Sequence, residues 1–240
     1  MNLVVDIGNS NIKLALLHEG KIMIQSRFDS LSDQSMNEFL SGRKIDKTII
    51  SSVKDIPGFM MEIVESGSGL VHILSHLSKL PFTINYQTPE TLGTDRIAGV
   101  AGAFNFFPGS DSLIIDAGTA ITYDFLLGSV YAGGNISPGI DTRFRALHHF
   151  TGKLPLITQS REFKFPGSNT SDAIIAGVVS GAIFEINEYI RTFEEKHRNS
   201  NVILTGGDGS FLKDKITGKV DYMPDIVTDG LNYILEYNAK

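Results

Sequence analysis

A duplicated α/β fold is predicted by three features of this chain. An apolar strand ends in Asp-x-Gly twice, at Asp6-Ile7-Gly8 and at Asp116-Ala117-Gly118. Each of these turns leads into a β-meander, and strand and helix patterns alternate over the remainder without a proline-rich or low-complexity linker. Together they imply two related halves, residues 1–112 and 113–240, joined by a hinge rather than a tether.

Residues 2–5 read as a buried strand, 6–10 as a polar turn and 11–18 as the returning strand. Glu19-Gly20 then turns the chain into a third strand over 21–27. The second meander repeats this order, with a strand at 113–115, a turn at 116–119, a strand at 120–127, a turn at Gly128 and a last strand at 129–136. Between the meanders, 35–40 reads as helix, and 48–53 and 71–74 as strands. Residues 93–106 are rich in glycine and alanine and predict a helix whose small side chains allow close approach to a neighbour. A helix over 141–150 and a looser segment over 151–169 follow. Ile174, Ile175, Val178, Ile183, Ile186 and Ile190 then recur at helical spacing over 170–197. A strand at 201–204 and a helix from about 225 to 237 close the chain.

Composition narrows the function. With 27 acidic and 21 basic residues the net charge is -6. No basic block could neutralise several phosphates of a nucleic-acid backbone, so nucleic acid is not an expected partner. Cysteine is absent, which excludes disulfides, thiolate metal sites and a cysteine nucleophile, and suits a reducing cytoplasm. The first residues lack a basic start and a small-residue cleavage site, and no apolar run approaches the length of a membrane span. A soluble, unprocessed cytoplasmic protein, with no membrane partner, is the expectation.

Three loops carry chemistry. The first is Asp6-Ile7-Gly8-Asn9-Ser10-Asn11-Ile12-Lys13. Its glycine permits close backbone approach, Ser10 and Asn11 can donate to phosphate oxygens with nearby amides, and Lys13 adds a mobile positive charge. Asp6, at a strand end, is placed to hold the magnesium that accompanies a nucleotide, through water because this ion gives up its hydration reluctantly. Alone, such a loop is an ordinary hairpin turn. The second loop, Asp116-Ala117-Gly118-Thr119-Ala120-Ile121-Thr122, repeats it. The third, Thr205-Gly206-Gly207-Asp208-Gly209, follows a strand and offers bare backbone to a base or sugar. An ordered trio of this kind predicts a nucleotide held in a cleft between the halves, without either the Walker or the dinucleotide fingerprint.

These loops resemble those of the actin, Hsp70 and sugar-kinase superfamily, whose duplicated domains are ribonuclease H-like. A finer resemblance is carried by Leu92-Gly93-Thr94-Asp95-Arg96, which is similar to the G-x-D-R motif of type III pantothenate kinases. Further strings follow in the family's order: Gly133-Gly134-Asn135-Ile136-Ser137-Pro138-Gly139, Ala146-Leu147, Leu154-Pro155, Asn169-Thr170 and Gly206-Gly207-Asp208-Gly209. The resemblance spans residues 6 to about 231. It implies phosphorylation of pantothenate by ATP with magnesium and a monovalent cation, potassium or ammonium.

By the same resemblance the loop from Asp6 to Lys13 and Thr119 bind ATP, and Asp116 sits at the monovalent cation site. Tyr86, Gly93, Thr94, Asp95 and Arg96 line the pantothenate pocket, and Thr170 reaches the substrate of the neighbouring subunit of a homodimer. Two departures stand out: Ser51-Ser52-Val53-Lys54 lacks a proline common in the family string, and Gly99 stands where a larger polar residue is common. The resemblance leaves open two alternatives, another small-molecule kinase of the superfamily and a non-catalytic regulator of the Bvg accessory factor type.

The chemistry fits the residues. A phosphoryl-transfer enzyme mainly positions its reactants in line and neutralises charge. Asp95 can orient a primary hydroxyl and take its proton as the oxygen attacks, and the planar fork of Arg96 suits a carboxylate. His72 with His76, and His148 with His149, lack a third ligand at metal-site spacing and read as structural.

Overall fold

Alternation along the first strand puts Leu3, Val5 and Ile7 on one face and Asn2, Val4 and Asp6 on the other. Every later element of the first unit is placed by that division. The structure, a computed structural model, describes residues 1–158 and 162–239; residues 159–161 of the segment expected to be loose lie outside the described residues. The strands are β1 (Asn2–Ile7), β2 (Ile12–His18), β3 (Lys21–Phe28), β4 (Ile45–Ser52), β5 (Ser68–Ile73), β6 (Thr83–Ile84), β7 (Ser112–Ala117), β8 (Ala120–Leu127), β9 (Val130–Pro138), β10 (Asn201–Thr205) and β11 (Asp221–Tyr222). The helices are α1 (Asp33–Leu40), α2 (Gly58–Gly67), α3 (Thr94–Phe106), α4 (Ile140–Phe150), α5 (Thr170–Lys196), α6 (Gly209–Leu212) and α7 (Ile226–Asn238).

The chain divides into two compact units. The first comprises Met1–Gly109, Leu126–Gly133 and Asp225–Lys240. Its sheet has the order β3-β2-β1-β4-β5, with β1 antiparallel to β2 and parallel to β4. Leu3, Val5 and Ile7 pack with Met36 and Phe39 of α1 and Met60 and Val64 of α2, so this face is apolar. The polar face of β1 meets α7: the Asn2 amide donates to Asn232 at 2.8 Å and to Glu236 at 2.7 Å. Helix α7 in turn lies on α3 with backbones touching. A Cβ added at Gly230 would stand 1.9 Å from the Ala98 carbonyl oxygen, and one at Gly102 would stand 2.3 Å from that of Ile226. The small residues read from the sequence of α3 therefore do what their size suggests.

The second unit comprises Ser110–Phe125 and Gly134–Pro224. Its sheet runs β11-β10-β7-β8-β9, the same order as the first sheet read from its other end. The further pairing of β6 with β9, at Thr83 with Val130 and Ile84 with Tyr131, lies within the first unit. Helix α5 is long and apolar enough to cross a membrane, its best 18-residue window having a mean hydropathy of 1.4. It is a core helix of this unit, burying Ile174, Ile175, Val179, Ile183, Ile186 and Ile190, while the Tyr189 ring stacks on Tyr123 of β8 at 3.7 Å.

The expected strands and long helices are all present, most of them extended by one to three residues. Helix α2 and the two-residue strands β6 and β11 were not anticipated.

Candidate functional site

In the first unit, strand register assembles a polar row. Lys13 pairs with Arg27 across β2 and β3, with Asp6 across β1 and β2, and Asp6 pairs with Ser51 across β1 and β4. Directly paired residues share a sheet face, so the row lies on the face that α7 covers. Burial pushes the Asp6 carboxyl up to about 6, and the charge of Asp95 adds to this; Lys13, a hydrogen bond from Ser51 and Arg27 oppose it. Asp6 and Asp95, distant in sequence, thus share one electrostatic environment.

Helix α3 delivers Asp95. Its N-cap is Gly93, which makes no side-chain capping bond. The start of the helix is fastened by Thr94, whose hydroxyl lies 3.0 Å from that of Ser51 and donates to the Ser52 carbonyl at 3.3 Å. Asp95 Oδ1 accepts the backbone N–H of Arg96 at 2.8 Å, and a Cβ at Gly93 would stand 2.4 Å from that same oxygen. The glycine of the motif is therefore the space that the Asp95 carboxylate occupies. Arg96 is buried, and Tyr86 lies beside the left-handed backbone of Gly133.

The first loop closes through a hydrogen bond from Gly8 N–H to the Asn11 carbonyl at 3.0 Å, leaving Asn9 and Ser10 exposed at its tip. The Lys54 ammonium donates to the Asn9 carbonyl. Lys13, expected to be mobile, is instead half-buried and pairs with Asp225 at 2.7 Å. Asp229, one turn along α7, has its carboxyl pushed up to about 6 by burial and then by Asp225, with Lys13 opposing.

The second unit gathers the other two loops. Gly118 N–H donates to the Ala120 carbonyl at 2.9 Å, closing this turn one residue sooner than the turn at Gly8. The Thr119 carbonyl accepts from Gly139 N–H at 3.0 Å and from the Thr142 hydroxyl at 2.6 Å, and Asp208 N–H donates to the Ala117 carbonyl at 2.9 Å. Side chains are excluded on both flanks: a Cβ at Gly139 would stand 2.0 Å from the Gly118 carbonyl oxygen, and one at Gly206, where φ is +90°, 2.4 Å from Asp116 Oδ1. The turn carrying Asp116 and Thr119 is thus clasped between two glycine turns.

Behind the clasp, Glu185 of α5 accepts from Tyr123 at 2.8 Å, from Arg143 at 2.6 Å and from Ser137. Burial would raise the Glu185 carboxyl, but these hydrogen bonds outweigh it and hold it below its ordinary value. Thr170, at the start of α5, is exposed and borders a groove of about 870 Å³ with Pro138, Thr142, Arg143 and Phe150.

Within the first unit, then, Asp6, Lys13, Thr94 and Asp95 come together, and within the second Asp116 and Thr119 do. Ser51, Asp225 and Asp229 adjoin the first of these groups and Gly139 the second, but none of the four was singled out as a site residue from sequence. The Asp225-x-x-x-Asp229 spacing after Pro224 was the one local signal for the acidic pair. Among the described residues no group of three or more His, Cys, Asp or Glu could cage a metal. A single carboxylate at a strand end fits magnesium, which keeps most of its waters and shares phosphate oxygens.

The raised Asp6 carboxyl has a thermodynamic consequence. It titrates near 6 when folded against a reference of 3.8, so the native state holds the proton more tightly and ionisation costs stability. That cost is absent below the lower value and complete above the higher one. Asp6→Asn is expected to stabilise the chain by ~1–2 kcal/mol at neutral pH, after allowing for solvent screening, with the gain vanishing towards pH of about 4. Denaturant unfolding at both ends of this range checks it.

Solved structures share this architecture. One described as a Baf-family transcriptional activator from Campylobacter jejuni superposes with a TM-score of 0.65 at 24% identity over 99% of this chain and 98% of that one. A glucokinase from an Antarctic psychrotroph does so with a TM-score of 0.53 at 10% identity over 98% of each chain. The fold is that of the actin-like ATPases and sugar kinases.

Sequence comparison is finer. A type III pantothenate kinase of Cytophaga hutchinsonii is 39% identical over 241 residues, 100% of each chain, and one of Porphyromonas gingivalis is 42% identical over 243 residues, 99% of each. The profile described as type III pantothenate kinase matches residues 2–192. The chain belongs to the type III pantothenate kinase family.

Proposed function

We propose that this chain transfers the γ-phosphoryl group of ATP to the primary hydroxyl of pantothenate, giving 4′-phosphopantothenate at the first step of coenzyme A biosynthesis. Beyond family membership, the observation that carries the reading is Asp95 held at the start of α3 within the electrostatic field of Asp6. One carboxylate oxygen of Asp95 is tied to the Arg96 amide, which fixes the group and turns the other oxygen to the substrate hydroxyl. That hydroxyl is oriented and gives up its proton as it attacks. Arg96 pairs with the pantothenate carboxylate, and Tyr86, Gly93 and Thr94 complete the pocket.

The loop from Asp6 to Lys13 and Thr119 bind the nucleotide, and Asp6 anchors magnesium through water, the ion supplying charge neutralisation on the phosphates. Asp116 binds a monovalent cation, potassium or ammonium. The duplicated halves are residues 1–112 and 113–240, and the protein works in the cytoplasm as a homodimer in which Thr170 reaches the partner's substrate. The apolar groove beside Thr170 and the exposed rings of Phe150 and Phe184 support that assembly.

The test is mass spectrometry of the products after incubation with ATP and pantothenate, with potassium present or replaced by sodium. Phosphopantothenate formed in potassium and sharply reduced in sodium is the expected result. Absence of product under every cation would overturn the reading and favour a regulatory protein.

A further inference from the structure

Lys13 stands directly across the β1–β2 ladder from Asp6, a placement in which lysine and aspartate on one sheet face ordinarily attract one another. Its ammonium lies instead 2.7 Å from Asp225 Oδ1, and among the described residues no ion pair within 4.0 Å joins it to Asp6. Three features direct it there. Asp225 is the N-cap residue of α7, held beside the sheet by the α7 contacts to Asn2 and Lys47. Asp229 adds a second carboxylate whose field reaches Lys13. Arg27, paired with Lys13 on its other side in β3, presents a like charge across the ladder.

We propose that Asp225 is a positioning residue for phosphoryl transfer: by taking up Lys13 it keeps the ammonium off Asp6 and leaves that carboxylate to a hydrated divalent cation. A carboxylate already paired with a lysine has to give up that pair before it can hold a cation, so a competing pair weakens metal binding directly. With Asp225 neutralised, Lys13 has Asp6 as a cross-strand partner, and metal affinity falls although no metal-binding group has been touched. The inference rests on Asp6 as the magnesium anchor.

Manganese is the probe, titrated into the protein saturated with ADP, with free manganese read by electron paramagnetic resonance. Asp225→Asn is expected to bind manganese about five- to tenfold more weakly than the parent. Asp225→Glu should stay close to the parent, and adding Lys13→Met to Asp225→Asn should restore binding because the competing ammonium is gone, with ADP raised to saturation for each variant since Lys13 itself lies in the nucleotide loop. Should Asp225→Asn fail to fold, Asp225→Ser places another favoured N-cap residue before α7 and removes the same charge. Parent-like binding by the neutral Asp225 variant, or a double variant as weak as the single one, overturns the proposal. Asp6→Asn separates this from the reading beneath it: if that variant binds manganese as the parent does, the anchor itself is misassigned, whereas loss of binding there with no effect at Asp225 rejects only the positioning role.

Discussion

Asp95→Asn is expected to lower kcat by roughly 10²- to 10⁴-fold while leaving nucleotide binding intact. Asparagine has the shape of aspartate and retains an oxygen to accept the Arg96 amide, so the start of α3 keeps its hydrogen bond. It can orient the substrate hydroxyl but cannot take its proton. The substitution also removes the negative charge that, after burial, pushes the Asp6 carboxyl up, so Asp6 ionises more readily and metal-nucleotide affinity holds or improves. Loss of turnover with preserved binding is therefore specific to a base. Steady-state kinetics combined with direct ATP-binding measurements check it, and a variant as active as the parent removes Asp95 from that role.

Gly230→Ala is expected to destabilise the first unit by ~3 kcal/mol or more, a fall in Tm on the order of 10 °C. The new methyl would stand 1.9 Å from the Ala98 carbonyl oxygen and 2.6 Å from the Gly102 nitrogen. Both are backbone atoms of α3, so no rotamer change relieves the clash and the helices have to separate. Alanine's better helix propensity returns only about 1 kcal/mol. Separation would also loosen the ties from α7 to Asn2 and Lys47. Thermal unfolding measures the effect, and an unchanged Tm would mean that α3 and α7 are not in backbone contact.

Much of this was legible because it is local. Strand alternation and the turns at Gly8, Gly20, Gly118 and Gly128 define both meanders, and the isoleucine spacing defines α5. The Gly-Thr-Asp-Arg string placed Asp95 at a helix start. What escaped has physical reasons. Helix α2 begins after Pro57 without a side-chain cap and has glycine at each end, so its boundaries carry weak signals. Strands β6 and β11 are two residues long, too short for alternation to register. Lys13 and Asp225 are 212 residues apart, and nothing in a single sequence pairs them. Gly139 entered only as the end of a family-like string and Gly206 as a loop residue, while their actual constraint is the backbone of the Asp116 turn packed against them.

Helix α7 belongs to the same compact body as β1, yet the other body's sequence lies between α3 and α7 in chain order. While translation proceeds, the glycine and alanine face of α3 has no cover, and Lys13 lacks its counter-ion. The body that carries Asp6 and Asp95 therefore matures only after the intervening body has been synthesised, so the nascent chain cannot complete the surroundings of the Asp6–Lys13 loop before α7 docks.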